Sequence, residues 1–157
     1  MALFLSACDL PKPPPDLFYK FDVMPVGKGP AHLLTADLNL DGEPDLVSTN
    51  AKNSSLTLLF GKGDGSFHAG STIKVAIEPT MSTVGDVNRD GIPDLVVNSR
   101  GSERFLVFLG KGNSKFMRPL ATKTGKVPLN IILGDYNEDG NLDAAVTLTF
   151  DQMELYL

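Results

Sequence analysis

The sequence predicts an all-β protein built of about three four-stranded antiparallel blades, and three observations predict it. First, nearly the same nine residues occur three times, as DLNLDGEPD at Asp37–Asp45, DVNRDGIPD at Asp86–Asp94 and DYNEDGNLD at Asp135–Asp143, at a constant interval of 49 residues. Self-similarity at such an interval signals a repeat architecture. Second, 15 Gly and 11 Pro punctuate short apolar runs, a composition that suits many strands joined by turns. Third, no segment sustains the 3.6-residue apolar period of a helix.

The period extends beyond the acidic nonapeptides. Pro30, Pro79 and Pro128 each precede the first loop Asp by seven residues, Phe18, Phe67 and Phe116 share the interval, and LTLLFGKG at Leu56–Gly63 aligns with FLVFLGKG at Phe105–Gly112. The repeat is therefore expected to run from about Phe18 to the end without insertion or deletion. Within one period, Ala31–Ala36 reads as a short strand entering the loop, and Asp45–Asn50 as a second, matched by Asp94–Ser99 and Asp143–Leu148. Ser55–Phe60 reads as a third, the turn Gly61–Gly65 follows, and a looser fourth strand begins at Phe67. Four strands per period with turn signals between them is the pattern of a β-propeller blade. The propeller repeats occupy residues 18–66, 67–115 and 116–157, preceded by a leader over 1–8 and a Pro-rich tether over 9–17. A fourth-type strand at Phe18–Val26 is expected to open the chain, and a third-type strand, Met153–Leu157, to close it, so that the N-terminal strand completes the last blade. Propellers usually have four to eight blades. A fragment of a longer gene, an open arc and a homodimer closing one ring in trans each account for three. The fragment is favoured, because the leader is also short.

The chain carries 14 Lys and Arg against 19 Asp and Glu, a net charge of −5. Nine of those acids are the Asp residues of the three loops, and the remaining 10 are outnumbered by the basic residues, so negative charge is concentrated at three points. Packed carboxylates repel unless a cation sits among them. In the first loop, oxygen-bearing side chains occupy positions 1, 3, 5 and 9 (Asp37, Asn39, Asp41, Asp45), Gly42 at position 6 permits a sharp turn, and Glu43 at position 7 offers its carbonyl. The second loop supplies Asp86, Asn88, Asp90, Ile92 and Asp94, and the third Asp135, Asn137, Asp139, Asn141 and Asp143. An all-oxygen donor set on a flexible loop suits Ca²⁺, so about three calcium sites are expected. An EF-hand needs Glu at position 12 and flanking helices. Here that position holds Ser48, Val97 or Val146 and a strand follows, which excludes it. A hairpin needs only the Asp-Gly pair, not the further oxygens.

These loops, the DLV strands and LLFGKGDGSF (Leu58–Phe67) resemble the FG-GAP or VCBS repeat family, the integrin-α-like propeller, over about Phe18–Leu157. The resemblance implies a calcium-stabilised propeller whose metal loops join the first two strands of each blade. GKGNSKF (Gly110–Phe116) has lost the Asp-Gly pair of the first copy, which weakens that turn.

Leu5-Ser6-Ala7-Cys8 resembles the lipobox of bacterial lipoproteins, in which the Cys is lipidated, and Pro11–Asp16 would then act as a stiff spacer. The segment before Cys8 is shorter than an ordinary signal peptide. The expectation is a protein of the bacterial envelope or surface, or a secreted one, touching membrane only through a lipid anchor. No run approaches the ~20 apolar residues of a membrane helix. No basic stripe with interleaved aromatics points to nucleic acid. No acid–base constellation or nucleophile motif is present, so a non-enzymatic role is expected, and the family resemblance implies adhesion or ligand recognition, with a protein or carbohydrate as ligand. The alternatives are a lectin propeller and the accessory propeller of a polysaccharide-degrading enzyme. His32 is expected to be a core residue, Lys62 and Lys111 solvated turn residues, and the periodic Phe residues packing between blades.

Overall fold

A computed structural model describes residues 23–157; the Cys8 leader, the Pro11–Asp16 tether and Phe18 lie outside the described residues. The first sheet comprises β1 (Pro30–Ala36), β2 (Asp45–Asn50), β3 (Ser55–Gly61) and β4 (Phe67–Lys74). The second comprises β5 (Pro79–Gly85), β6 (Asp94–Ser99), β7 (Arg104–Phe108) and β8 (Leu120–Lys123). The third holds β9 (Pro128–Gly134), β10 (Asp143–Leu148) and β11 (Gln152–Tyr156). Each sheet is an antiparallel meander with its strands in chain order, so one sequence period makes one blade. The helical content of the described residues is one 3-10 turn, Arg100–Ser102.

The inner strands stand side by side, β1 against β5 and β5 against β9. Val47, Leu56 and Leu58 of the first blade interdigitate with Leu95, Val97, Leu106 and Phe108 of the second. Val96 and Phe105, on the second blade's other face, meet Ile131, Ala144, Val146 and Leu148 of the third. This explains why DLVVNS lacks polar alternation: the central blade is covered on both faces, and all six residues of β6 are buried. Phe116 packs at the rim of the first cluster, as its period suggested.

Two expectations are corrected. The part of Phe18–Val26 that is described, 23–26, is not a strand; residues 18–22 lie outside the described residues. The described part leads into a strap over the outward face of the first blade: the amide of Gly27 donates to Thr57 Oγ1 (3.2 Å), and the carbonyls of Lys28 and Gly29 accept from Lys52 and Ala51. Secondly, the period is not free of deletions. The β2–β3 and β6–β7 hairpins close on Asn50↔Ser55 and Ser99↔Arg104, whereas β10–β11 closes on Leu148↔Gln152, one residue tighter. A slip of one residue turns every side chain to the other face. Glu154 and Tyr156 therefore face the second blade, where Tyr156 stacks edge-on against Phe105 with centroids 5.0 Å apart, while Met153 and Leu155 turn to solvent. Burial, then the neighbouring Glu154 carboxylate, pushes the Tyr156 phenol up to about 12. The weakened turn expected at Gly110–Phe116 goes with a short fourth strand in the second blade. In the first blade Asp64 Oδ1 accepts from both the amide and the hydroxyl of Ser66, and Gly65 takes the left-handed conformation. In the second, Asn113 and Ser114 must both adopt positive φ, and only an isolated bridge, Gly110↔Phe116, precedes β8.

The two interfaces also differ in polarity. Thr49 Oγ1 and Ser82 Oγ lie 2.8 Å apart across the first. One period later these positions hold Asn98 and Ile131, and the fully buried Asn98 amide has no hydrogen-bond partner at either atom. An unpaired buried amide is destabilising. Asn98→Val is expected to raise stability by about 1 kcal/mol, read as a higher Tm; a lower Tm would mean that bound water satisfies the amide.

Candidate metal loops

Each acidic nonapeptide joins the first two strands of its blade and folds the same way. In the first, the amide of Asp41 donates to Asp37 Oδ1 and Asn39 Oδ1, Gly42 donates to Asp37 Oδ2, and Glu43 donates to Asp41 Oδ1. The second repeats this with Asp86, Asn88, Asp90 and Ile92, and the third with Asp135, Asn137, Asp139 and Asn141. The chain thus turns its amides at positions 5, 6 and 7 inward and holds the side-chain oxygens of positions 1, 3 and 5 against them. Position 7 acts through its backbone, which is why Glu, Ile and Asn serve equally. Gly42, Gly91 and Gly140 have φ of 90°, 80° and 84°, the region where only glycine is unstrained. Position 4 is also left-handed, at Leu40, Arg89 and Glu138, a constraint that no residue type there announces.

Position 9 does something the spacing did not disclose. Asp45 is fully buried; its Oδ2 accepts from the amide of Leu38 and its Oδ1 from that of Gly61, both at 2.9 Å. Asp94 does the same with Val87 (2.9 Å) and Gly110 (2.7 Å), and Asp143 accepts from Tyr136 (2.9 Å). In the first two blades this carboxylate ties three backbone segments together: the acidic loop, the start of the second strand and the end of the third. The first Gly of each GKG exists for the same contact. A Cβ on Gly110 would sit 2.5 Å from the Pro93 carbonyl oxygen, and Gly61 meets Pro44 likewise.

The donors left facing solvent in each loop are the Asp, Asn and Asp of positions 1, 3 and 5. Among the described residues, no three His, Cys, Asp or Glu side chains form a metal-holding group. All three carboxylates of each loop accept backbone amides, but those at positions 1 and 5, with the Asn oxygen at position 3, stay on the solvent side, whereas the third is buried. The chemistry of this set, oxygen only and preorganised by backbone amides, fits a hard cation, and a carboxylate holding two amides keeps lone pairs free.

The three loops lie along one rim. A cleft of about 250 Å³ is lined by Asp37, Asp86 and Gly91, and Arg89 of the second loop reaches Asn141 of the third (3.5 Å). The amide of Asn141, then the Asn137 side chain, hold the Asp139 carboxyl below its usual range, and the Arg89 charge adds to this.

His32 sits where the first two blades meet, its Nδ1 accepting a long hydrogen bond (3.5 Å) from the amide of Ser82. Burial lowers its pKa. The unfolded chain therefore binds this proton first as pH falls below about 6.5. Stability is present in full above that value and is lost as pH falls through the folded pKa. Replacing His32 by Gln should flatten that part of a stability–pH profile measured by urea unfolding. His68 packs against Phe60 with centroids 5.4 Å apart.

The FG-GAP-like repeat family matches residues 37–97 and again 86–146, the two spans together covering well over half of the chain. No curated protein matches significantly. Among solved structures, the crystal structure of BBS1N in complex with ARL6DN, soaked with lead, aligns over 76% of this chain at 14% identity and a TM-score of 0.48. The alignment spans 37% of that solved chain.

Proposed function

The chain belongs to the FG-GAP-like repeat family, and from that premise we propose that it is a non-enzymatic propeller module whose three rim loops each take one Ca²⁺, presented at the bacterial surface for adhesion or ligand recognition. The observation that carries the calcium reading is the threefold recurrence of one amide-clamped set of solvent-facing oxygens, Asp37/Asn39/Asp41, Asp86/Asn88/Asp90 and Asp135/Asn137/Asp139. The carbonyls of Glu43, Ile92 and Asn141 and the outer lone pairs of Asp45, Asp94 and Asp143 would complete the shells. Bound calcium would neutralise the loop carboxylates and lock the turn between the first two strands; it supplies charge and rigidity, not reaction chemistry. Surface anchoring through Cys8 and the identity of the ligand rest on the sequence resemblances alone.

The test is a thermal melt with saturating Ca²⁺ and with chelator. Binding to the folded state alone stabilises by mass action, so calcium should raise Tm by several degrees, with Mg²⁺ less effective. Coincident melts would overturn the calcium assignment. A labelled Cys8→Ala chain that still partitions with the envelope as the parent does would overturn the anchor.

A further inference from the structure

The turn after the third strand differs between the first two blades in charge as well as in conformation. GKGDGSF (Gly61–Phe67) carries one Lys and one Asp, whereas GKGNSKF (Gly110–Phe116) carries Lys111 and Lys115 and no acid. In the first blade Asp64 satisfies its own turn, and Gly65 takes positive φ without strain. The second blade lacks both devices, and Asn113 and Ser114 hold φ of 52° and 53°. Strain of this kind collects at ligand sites, where the surrounding structure maintains it.

That turn forms one wall of a cleft of about 530 Å³, and the outer strand β4 of the first blade forms the other. The two blades are already packed on each other through one cluster, whose rim Ile73 and Phe116 join. Lys74, Lys111, Lys115 and Arg118 line the cleft, and no Asp or Glu does. All four are exposed, and none is held in an ion pair among the described residues. In a chain of net charge −5 this is a local positive field. Ser114 also lines the cleft; it is 8% exposed, and its hydroxyl has no hydrogen-bond partner. A buried hydroxyl left unpaired is destabilising, and an anion in the cleft would pair it.

We propose that this cleft binds a sulfate or phosphate ester carried on a sugar-sized ligand. The Lys ammoniums meet such an oxyanion as point charges and the Arg118 guanidinium as a two-pronged donor, while the Ser114 hydroxyl donates from the cleft floor. The volume exceeds that of a lone oxyanion and lies in the range of small-molecule pockets. Ile73, Met117 and Pro119 give the carrier apolar contact. A concave site between two walls suits a discrete ligand better than the plane of a membrane. Its aromatics, Phe108 and Phe116, are buried and half-buried, so neither is free to stack on a nucleobase. No residue of the three acidic loops lines the cleft, so the site stands whether or not those loops hold calcium.

The test is calorimetric titration of the full chain at low salt, in calcium-free buffer so that the esters cannot act through a metal. The probes are sucrose octasulfate, inositol hexakisphosphate and, as the neutral control, sucrose. Saturable binding of either ester supports the proposal, and the one that binds more tightly names the ester. Lys111→Glu with Lys115→Glu should weaken binding by about tenfold or more, whereas Lys62→Glu, in the first blade's turn and outside the cleft, should change it by less than about twofold. All three lysines are exposed, so circular dichroism should match the parent. Ser114→Ala should weaken binding by about fivefold without lowering Tm, because it removes a donor that is unpaired in the free protein. Binding of neither ester overturns the proposal. Binding that survives the Lys111 and Lys115 changes overturns it too, as does an equal loss from Lys62→Glu, which would mean diffuse attraction.

Discussion

Asp94→Ala is expected to lower the free energy of unfolding by about 3–5 kcal/mol, because it strands two backbone amides that hydrogen-bond a charged acceptor in a buried place. Asp94 has no exposure and holds the amides of Val87 and Gly110 at 2.9 and 2.7 Å. Its neighbour in the same loop, Asp90, is exposed and clamps only its own turn. Asp90→Ala should therefore change calcium-free stability far less, while reducing the calcium-induced rise in Tm. Urea unfolding of the two variants in chelator separates the roles. Equal losses would show that position 9 is a metal ligand and nothing more, and the staple would be refuted.

The second large effect is expected at Gly110. Its added methyl would press on the Pro93 carbonyl from 2.5 Å and on Ile92 Cγ2 from 2.6 Å, and relief requires β7 to move off the loop, which pulls the Gly110 amide from Asp94. Overpacking of 1–3 kcal/mol plus most of one charged hydrogen bond puts Gly110→Ala at about 2–4 kcal/mol. Gly112, two residues on, has φ of 77° and nothing within 4 Å of an added Cβ. Gly112→Ala should cost only the left-handed strain, about 1 kcal/mol. Because Gly110 and Asp94 share one contact, the double variant should lose less than the two single losses together. Additive losses in urea unfolding would show that glycine and carboxylate act separately.

Much of the chain was legible before any coordinates. DLVSTN, DLVVNS and DAAVTL form strands over the same residues the repeat assigned to them. These are local matters: turn residues, β-branched runs and glycines speak for the few residues around them. The rim loops were legible in outline for the same reason, since their oxygens and their Gly are neighbours in sequence. Asp45, Asp94 and Asp143 were read as members of that set because they keep its spacing. Their second partner, the Gly amide 16 residues on in the first two blades, depends on where the third strand ends against the loop.

The third blade shows the limit most plainly. MELYL looked like the counterpart of SLTLLF at a constant period, yet the turn after β10 holds three residues instead of four, and the shift reverses which of its side chains are buried. A composition pattern carries little information about a one-residue difference in a turn. The strap over 24–29 likewise had the Gly and Pro of a linker, and its place was set by the first blade's open face. By itself, the sequence determined the all-β repeat, the strand order within each blade and the position of three acidic turns, because those follow from short-range propensity repeated three times. Only the tertiary structure decided which carboxylate is a staple and which way β11 faces, because each depends on what lies across a sheet from a residue, and that is set by pairing and packing at long range.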